Sequence, residues 1–505
     1  MVFHFLGVLT VIGKKNSRDL LQRIEEKLVE ITEGTTKILV PKKSLDEKVP
    51  PKEPAFFNPA AKLTRDFSIL AYSAFWEDFD KPKIFLDGLD GLGARSLRVA
   101  NEIPDVEAVV ANDINSEGLN IALDSMKLNK ITNFETSENE ICHFFGSYSK
   151  KGKRGSIVDV DPFGSPTKYF DCAIRATMHG GMLSVTATDL QVLHGLSKRS
   201  CQRKYHGIPI KTEYSNEIAI RLILGCLELV AGRLEIQIIP QFVQHDMHYY
   251  RAYLKILNKP GQKEQLGYII HCKSCGSRKA VMKQEEICEV CDSKLDVAGP
   301  LWIGQLFEKE FVMKMTEIVP KLVMDKRCEK ILEKCVLESE MPPTYYTLDE
   351  IASKMQSAPL KMKNMIKKLQ DARFAASPTS LNPNGFRTDC KIDEIIKILG
   401  FEMMDMKFKT ILETKGRDTG KTHKVRLLAV KYEGKLYFSR RNTNSDWLKN
   451  AQKNPDVRIE FDRRSFAGRA SLVSDDSLCK KISQLKYDDE KRANEHRVVL
   501  EVDFS

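Results

Sequence analysis

The sequence lacks any long hydrophobic run. Its most apolar end, MVFHFLGVLTVIGKK, holds about a dozen apolar residues, short of the roughly 20 that a membrane-spanning helix needs. This end also lacks the basic start and the small-residue cleavage site of a secretory signal peptide. We interpret residues 1–33 as an N-terminal extension, either a surface strand or the result of a misassigned start codon, and expect no membrane partner.

The sequence also lacks the cysteine pattern of a secreted disulfide-rich protein. Of its twelve cysteines, four are clustered between residues 272 and 291, and the rest are scattered in apolar surroundings, as at Cys172 and Cys226. This distribution favours a reducing compartment and predicts a cytoplasmic protein. The sequence leaves the oligomeric state open.

Length and charge set wide bounds. A chain of 505 residues is too long for one ordinary domain, and its 42% hydrophobic content is ample for several cores. The net charge of +10 permits an anionic partner without proving one, because the charge is spread over a long chain.

Strand and helix patterns alternate from Lys83 onward. The predicted strands are KIFLDGL, AVVANDI, SIVDVDP and GMLSVTATD, each separated by a helical pattern, with Ser116 as the predicted N-cap of the second helix. This repetition predicts a doubly wound, mostly parallel α/β sheet. Two adjacent strands, LEIQIIPQF and YYRAYLKIL, then form a closing hairpin, which is typical of the Rossmann-like sheet of class I methyltransferases. We assign this domain to residues 34–258.

Polar residues stand at the carboxyl ends of these strands, where such sheets bind ligands. Asp87 ends the first strand and Asp113 the second. Gly91 and Gly93 would let the backbone approach a ligand closely. The glycines are spaced G-x-x-G-x-G and not G-x-G-x-x-G, so alone they indicate only a tight turn. Together with the two acids, they favour a nucleoside-containing cofactor.

The next strand ends in Asp161-Pro162-Phe163-Gly164. A carboxylate and the carbonyl of Pro162 could accept hydrogen bonds from an exocyclic amino group, so that its nitrogen lone pair turns toward a methyl donor. Asp161 could also take the proton, and Phe163 could stack on the base. The alternative is a polar strand end with a packed aromatic ring, but the position at the cofactor end of a sheet favours catalysis.

In these motifs the chain resembles the tRNA (guanine-26-N2)-dimethyltransferase family over roughly residues 34–399. The resemblance is carried, in the order of the chain, by NPAAKLTRD (58–66), DGLDGLGARSLR (87–98), NDINSEGL (112–119), DVDPFGSP (159–166), GGMLSVTATDL (180–190), CQRKYHGIPIKTEYSNEIAIR (201–221) and HDMHYYRAYLKI (245–256).

The resemblance implies a tRNA substrate, S-adenosylmethionine as cofactor, and methylation of the N2 of guanine 26. It implies that Arg65 and Asp87 contact the methionine part of the cofactor and that Asp113 contacts its ribose. It also implies that Asp161 is the catalytic acid and Phe163 the platform for the base.

The chain departs from the family pattern in two places. The family carries an acid-Ala-Asn before the third helix, where this chain has SEN (137–139), and Asn139 is the residue we assign to the cofactor there. The loop GLDGLGARS also differs from the small-residue loop that is usual in the family. The number of methyl groups added stays open.

Four cysteines outside the sheet have the spacing of a metal site. Cys272 and Cys275 form one C-x2-C pair and Cys288 and Cys291 a second, twelve residues further on. Thiolates at this spacing can close a tetrahedron around Zn²⁺. The alternatives are chance or a pair of disulfides. We predict a structural zinc ribbon within residues 259–340, which also holds connecting helices.

Residues 341–399 have the pattern of a small helical module. TLDEIASKM places Thr347 and Glu350 as a capping box, APLKMKNMIKKLQDAR carries several lysines, and FAASPTSLNPNGFRT is rich in turn residues. We predict a winged-helix-like module that binds RNA. The alternative is a solvated charged face with no partner.

Residues 400–505 alternate apolar and polar residues over short runs, which predicts a small antiparallel barrel. It resembles the split barrels of the deazaflavin-dependent nitroreductase family, through 414–421, 447–450 and 454–457. A phosphate could lie on Arg417 and Lys421. The loop Arg440–Asp446 replaces the family's glycine-rich cover, so we expect the barrel to contribute RNA affinity or nothing, and not redox chemistry. The alternative function is that of an oxidoreductase that uses FMN or a deazaflavin. A hydride-transfer enzyme of this kind would have no use for the strand end Asp161-Pro162-Phe163-Gly164.

Overall fold

The computed structural model describes residues 28–504, except 247, 356, 403–406, 462–463 and 488. Most of the predicted N-terminal extension therefore lies outside the described residues. The chain divides into two compact units, Met1–Ile392 and Asp393–Ser505. None of the described helices combines the length and apolar character needed to cross a lipid bilayer.

The first unit contains fifteen described strands. They are β1 Leu28–Glu33, β2 Thr36–Pro41, β3 Ile84–Asp87, β4 Ala108–Asn112, β5 Phe134–Ser137, β6 Gly155–Val160, β7 Thr177–Ala187, β8 Gln237–Asp246, β9 Tyr249–Leu257, β10 Leu266–His271, β11 Arg278–Val281, β12 Asp296–Trp302, β13 Tyr346–Thr347, β14 Ala376–Pro378 and β15 Gly385–Thr388.

Its α-helices connect and cover these strands. They are α1 Lys43–Asp46, α2 Lys62–Glu77, α3 Ser96–Glu102, α4 Ser116–Leu128, α5 Ile141–Tyr148, α6 Phe170–Ala176, α7 Leu190–Leu193, α8 Lys198–Tyr205, α9 Ser215–Arg233, α10 Lys309–Ile318, α11 Arg327–Glu338, α12 Leu348–Met355, α13 Met362–Asp371 and α14 Ile392–Glu402, the last of which runs into the second unit.

The main sheet has seven strands in the order β5-β4-β3-β6-β7-β9-β8. The first five are parallel, and β9 pairs antiparallel with both β7 and β8. The predicted class I methyltransferase sheet with its closing hairpin is therefore confirmed. Every residue of β6 is buried, because helices cover both faces of the sheet and the strand is apolar along most of its length. The strand order reverses between β3 and β6, which is where such sheets bind ligands.

A two-stranded hairpin, β1–β2, packs beside the sheet. Its apolar residues Ile38 and Val40 share a core with Phe57, Leu92 and Ile121, and the amide of Leu39 donates to Ser125 Oγ of α4 at 2.9 Å. The hairpin turns at Gly34, so the boundary predicted at residue 34 falls inside one structural element.

Two smaller sheets follow in the first unit. Strands β11-β10-β12 form the predicted ribbon, and β13-β15-β14 with α12 and α13 form the predicted winged-helix-like module. The β14–β15 wing is anchored, because Arg387 is buried and its guanidinium contacts both Glu217 of α9 and Glu338 of α11. The lysines of α13 lie mostly at the surface, as its sequence pattern indicates.

The second unit is a closed barrel in the order β16-β17-β18-β21-β20-β19. Its strands are β16 Lys407–Lys415, β17 Thr422–Tyr432, β18 Lys435–Arg440, β19 Asp456–Phe461, β20 Arg464–Leu472 and β21 Val498–Asp503, with helices α15 Asp446–Lys453, α16 Asp476–Lys486 and α17 Glu490–Ala493. Alternating apolar residues such as Leu412, Leu436 and Leu500 fill the interior. The predicted antiparallel barrel is confirmed.

Candidate active site

Two predicted cofactor acids lie at neighbouring strand ends. Asp87 is fully buried; its Oδ1 accepts a hydrogen bond from the amide of Leu89 at 3.1 Å, while its Oδ2 is buried and has no hydrogen-bond partner among the described residues. Burial and the nearby charges of Asp90 and Asp159 raise the pKa of Asp87 well above its usual value. A buried carboxylate oxygen with no partner fits the cationic amino group of a ligand.

Asp113 holds the glycine loop in place. Its Oδ2 accepts from the amide of Gly91 at 2.8 Å and its Oδ1 from the amide of Asn115 at 2.9 Å. Gly91 and Gly93 have φ of +63° and +87°, which other residues rarely adopt. A Cβ at Gly93 would also lie 2.8 Å from the Cβ of Ala122 in α4. The glycines therefore form a tight turn, and they press the loop against the end of β4.

Helix α4, which follows this loop, corrects the predicted cap. Asn115, and not Ser116, is the N-cap, and its side-chain oxygen accepts from the amides of Glu117 and Gly118. The strand ends at Asn112, two residues before the end of the predicted strand AVVANDI, so the turn to the helix is longer than the sequence pattern suggests.

Asn139 follows β5 and is joined to β4. Its amide donates to Asn112 Oδ1 at 3.2 Å, and its carbonyl accepts from Asn112 Nδ2 at 3.0 Å. Asn112 also donates to the carbonyl of Gly88 at 3.1 Å. Asn112, which the sequence analysis did not single out, thus ties the ends of three strands together, and the contact of Asn139 with a cofactor stays a prediction.

Asp161 follows β6 and is paired with Arg95. The Nη2 of Arg95 donates to Asp161 Oδ2 at 2.5 Å, and the Nη1 of Arg251 lies 3.9 Å from the same oxygen. Arg95 also contacts Asp159 at 3.4 Å, so Asp159 and Asp161 face the same side of the strand as their spacing predicts. Both arginines approach Oδ2, which leaves Oδ1 open to accept hydrogen bonds from a substrate.

Asp159 is the buried centre behind this pair. It accepts from Arg251 and from Tyr72, and Ser184 Oγ lies 3.1 Å away. Burial alone would raise the pKa of Asp159, but Arg251 and Arg95 hold it below its usual value. The sequence analysis assigned no role to Arg95, Asp159, Arg251 or Tyr72, although the first three lie within the quoted motifs.

The loop after Asp161 presents an aromatic ring to solvent. Phe163 is 66% exposed, whereas Pro162 before it is buried. The ring contacts Phe56 edge to face at 4.9 Å, and the ammonium of Lys52 lies 5.5 Å above it. Gly164 has a φ of +84° and exchanges two hydrogen bonds with Thr188 after β7. An anchored loop with an exposed ring can receive a planar group.

Arg65 lies in a different environment from the one the resemblance implies. Its guanidinium makes a two-point contact with Glu33 at 2.6 and 2.7 Å and donates to the carbonyl of Asn58. Its charge is therefore already compensated. The contact of Arg65 with the methionine part of a cofactor stays a prediction. The cation whose charge acts on Asp87 is Arg95, whose Nε is buried and has no partner within the described ranges.

One cysteine pair differs from the expectation for a reducing compartment. Cys142 of α5 and Cys172 of α6 form a disulfide. The two residues are 30 positions apart, and helices α5 and α6 pack against each other, which the scattered spacing did not indicate.

The four clustered cysteines come together. Their sulfurs all lie within 4.8 Å of one another, and none of the four is disulfide-bonded. The two loops are built alike, because the amides of Cys272 and Cys288 donate to the carbonyls of Ser277 and Ser293 at 2.8 and 2.9 Å. A tetrahedral Zn²⁺ site has sulfurs about 3.8 Å apart. The donor set and its compactness fit zinc, and four thiolates leave no open coordination position.

The barrel holds a separate cavity of about 530 Å³. Arg417 lies on its wall, where the resemblance places a phosphate, but its guanidinium donates to Asp446 at 3.0 Å and lies 3.6 Å from Asp418. Two carboxylates already compensate this arginine and would repel a phosphate. The residues at Arg417 therefore do not fit the phosphate of a deazaflavin.

With this geometry established, the chain can be compared with known proteins. Residues 34–400 match the family of N2,N2-dimethylguanosine tRNA methyltransferases. The chain belongs to this family. Residues 395–492 match a second family, that of F420H2-dependent quinone reductases, which agrees with the predicted split barrel.

Several members of the methyltransferase family are similar over nearly their whole length. The tRNA (guanine(26)-N(2))-dimethyltransferase of Methanosphaera stadtmanae is 31% identical, with 73% of this chain and 96% of the relative covered. A tRNA (guanine(26)-N(2)/guanine(27)-N(2))-dimethyltransferase of Aquifex aeolicus is 30% identical, with 73% and 94% covered. The structure of Trm1 from Pyrococcus horikoshii with S-adenosyl-L-methionine matches with a TM-score of 0.64 at 27% identity, covering 74% of this chain and 99% of that one.

The buried acids at the cofactor end of the sheet predict that the affinity for the cofactor depends on pH. Burial, together with Asp113, raises the pKa of Asp90 to about 7, although Ser96 donates to its Oδ1 at 2.5 Å. Its Oδ2 accepts no hydrogen bond from the part of the chain that the structure describes. A bound cationic cofactor favours the ionised form, so binding near pH 7 should release a proton and tighten as the pH rises from 6 to 8. Calorimetry in two buffers of different ionisation enthalpy measures the release, which Asp90→Asn should reduce; the pKa of Asp87 is raised as well, so a contribution from Asp87 should remain.

The same shift gives the sign of a stability effect. The unfolded chain ionises this carboxyl near pH 4, whereas the fold keeps it protonated up to about 7. Within this window the folded state binds more protons, so stability falls as the pH rises. Asp90→Asn removes this carboxyl, so at pH 8 and without cofactor the variant should be more stable than the wild type. Equal or lower stability of the variant would contradict this account.

Proposed function

We propose that this chain transfers methyl groups from S-adenosylmethionine to the exocyclic N2 of guanine 26 of tRNA, giving N2-methylguanosine and N2,N2-dimethylguanosine. One observation carries the proposal: Asp161, held by Arg95, stands at the cofactor end of the sheet beside the exposed ring of Phe163. Family membership supports the choice of substrate, and the tRNA partner supports a cytoplasmic location.

The strand ends would hold the cofactor. Asp87 Oδ2, which is buried and makes no hydrogen bond to any described residue, would accept from the amino group of the methionine part. Asp113 already accepts one backbone amide on each oxygen, and each oxygen can accept a further bond from a ribose hydroxyl. When bound, S-adenosylmethionine supplies an electrophilic methyl group on a sulfonium.

Asp161 would prepare the acceptor nitrogen. The lone pair of a guanine amino group is delocalised into the ring, so its N–H groups must be held for the lone pair to turn out of the ring plane. Asp161 Oδ1 and the carbonyl of Pro162 would accept these N–H groups, while Arg95 keeps Oδ2 in place. As the new N–C bond forms, the bond between the methyl group and the sulfonium sulfur would break and leave a neutral thioether. The nitrogen becomes cationic, and one of its protons would pass to Asp161 Oδ1.

Phe163 would position the base by stacking. Stacking on an aromatic ring is worth about 1–3 kcal/mol per base, so Phe163→Ala should lower kcat/KM for tRNA about tenfold or more, while Phe163→Trp should retain most of it. Leu128→Ala, which removes another exposed apolar side chain of the same unit, serves as the control. Equal kcat/KM values for Phe163→Ala and the wild type would exclude the stacking role.

Labelled methyl transfer to tRNA transcripts tests the function. Transcripts with guanine or adenine at position 26 are incubated with the protein and the labelled cofactor, and the nucleosides are then analysed by mass spectrometry. We expect N2-methylated guanosine only where position 26 is guanine. A second pair of transcripts, varied at position 27, asks whether the neighbouring guanine is also modified, as the name of the Aquifex relative states for that protein.

The barrel raises the alternative of flavin-type chemistry. Its match to F420H2-dependent quinone reductases favours a deazaflavin, and FMN would be the other phosphorylated candidate. The two carboxylates around Arg417 oppose this reading, and we assign no redox step to the barrel. We propose instead that the barrel and the lysine-rich helix α13 contribute to RNA binding.

A further inference from the structure

The barrel cavity contains buried polar groups that lack partners. Trp447 Nε1 and Thr414 Oγ1 both line the cavity, and neither makes a hydrogen bond within the described part of the chain. Trp447 is only 6% exposed and Thr414 1%. Two buried groups that can donate hydrogen bonds, set in the wall of a cavity, indicate a ligand with acceptor atoms.

The rim of this cavity at the end of β18 is positively charged. Arg440 lines the cavity, is exposed, and takes part in no ion pair among the described residues. Next to it, Lys486 donates to the carbonyl of Ser439 at 2.8 Å, although this lysine is only 7% exposed. We name Arg440 and its neighbours Arg441, Lys486 and Arg497 the rim cluster; of these four cations, only Arg440 lines the cavity itself.

The rim cluster carries more positive charge than its acidic neighbours compensate. Glu495 accepts from both Arg441 and Arg497, and the Nε of Arg497 is buried with no partner in the described part of this unit. Burial and the charges of Arg497 and Arg440 lower the pKa of Lys486 to about 8. Like charges gathered at one place are stabilised by an anion that binds among them.

We propose that Arg440 and the rim cluster bind a phosphate of the tRNA backbone and that an unpaired nucleotide of that RNA enters the barrel cavity beside Trp447. The proposal rests on tRNA being the substrate of this chain. It assigns the barrel a defined nucleotide-binding role, distinct from the methyl-transfer site.

The charge distribution favours a nucleic acid over a flavin-type cofactor. Residues 401–505 carry 23 lysines and arginines against 17 aspartates and glutamates, so a fifth of the chain holds six of its ten net positive charges. The two ends of the cavity differ, since Arg417 is compensated by Asp418 and Asp446 whereas Arg440 is not. An RNA phosphate needs only an exposed cation at the rim, and unpaired bases bind in cavities with aromatic walls.

Salt-dependent tRNA binding by the full-length protein tests the proposal. Each phosphate contact adds about one unit to the slope of the logarithm of affinity against the logarithm of salt concentration, so Arg440→Gln should weaken binding and reduce the slope by about 1. Arg458→Gln is the matched control. Arg458 is an exposed cation on β19, opposite β18 in the closed barrel, and its loss should leave the slope unchanged.

Trp447 provides a second readout. The chain has three tryptophans, and Trp76 and Trp302 are buried in the first unit. A short single-stranded oligoribonucleotide should quench the fluorescence of the wild type, and Trp447→Phe should remove this quenching. FMN and a 5-deazaflavin are titrated in parallel arms.

The results of these experiments distinguish failure of this proposal from failure of the proposed function. Equal salt slopes for Arg440→Gln and Arg458→Gln would overturn the proposal, as would micromolar binding of FMN or the deazaflavin that Arg440→Gln weakens. Absence of methyl transfer to tRNA would instead overturn the proposed function, because the salt slope and the fluorescence report RNA binding without any reaction.

Discussion

Asp161→Ala is expected to lower the single-turnover rate of methyl transfer by about 10²–10³-fold, which is the usual cost of losing one preorganised group that stabilises developing charge. The carboxylate accepts the N–H of the target amino group, and no other acid among the described residues shares its place beside Phe163. Cofactor binding should change little, because Asp87 and Asp113 remain. Rapid-quench assays with saturating enzyme measure the rate, and calorimetry measures the affinity for the cofactor.

The control is Asp171→Ala. Asp171 is an exposed acid on α6, the next helix along the chain, and its only described ion pair is with Arg175 on the surface. The Asp171→Ala variant should transfer methyl groups at the wild-type rate. If Asp161→Ala and Asp171→Ala had equal single-turnover rates, Asp161 would have no role in the reaction.

Loss of the metal is expected to have the largest effect on stability. The protein should contain one zinc ion per chain, and Cys272→Ser should lower the melting temperature by several degrees or more, because binding of a structural zinc contributes directly to folding free energy. Cys272 is fully buried, so a hydroxyl there would also be poorly solvated. The ribbon is joined to the winged-helix-like module by the ion pair of Arg278 and Glu350, so loss of structure in the ribbon should also destabilise that module.

Cys479→Ser provides the matched control for this thiol, since Cys479 lies in the barrel outside the cluster. Its zinc content should equal that of the wild type. Metal analysis that finds no zinc in freshly reduced wild-type protein would contradict the assignment, whatever the melting temperatures of the variants.

The strand ends could be predicted from the sequence because their signals are local. Asp87, Asp113 and Asp161 each follow an apolar run, and parallel strands bring their carboxyl ends to one edge. The zinc cluster is predictable for the same reason, because two short motifs supply all four thiols. Such patterns need no knowledge of distant contacts.

The charge network around Asp161 could not be predicted in this way. Arg95 lies 66 residues from Asp161, and Arg251 lies 92 residues from Asp159. Only the order of strands in the sheet brings these side chains together, and nothing in the local sequence marks an arginine as the partner of one acid among many. The same holds for Arg65, whose partner Glu33 lies in a hairpin assigned in part to an extension.

Local signals also compete with tertiary contacts. The capping box predicted for α12 is half formed: Thr347 Oγ1 accepts from the amide of Glu350 at 3.1 Å, as expected, but the Glu350 carboxylate pairs with Arg278 of the ribbon. A buried ion pair outweighs a return bond to the cap, because the arginine would otherwise be left uncompensated.

The central claim is that Asp161 and the carbonyl of Pro162 act on the exocyclic amino group of a guanine in tRNA. The most direct measurement compares two otherwise identical tRNAs, one with guanosine and one with inosine at position 26, since inosine keeps the ring but lacks the amino group. We predict methyl transfer to the first and none to the second. Equal methylation of both tRNAs would contradict the account.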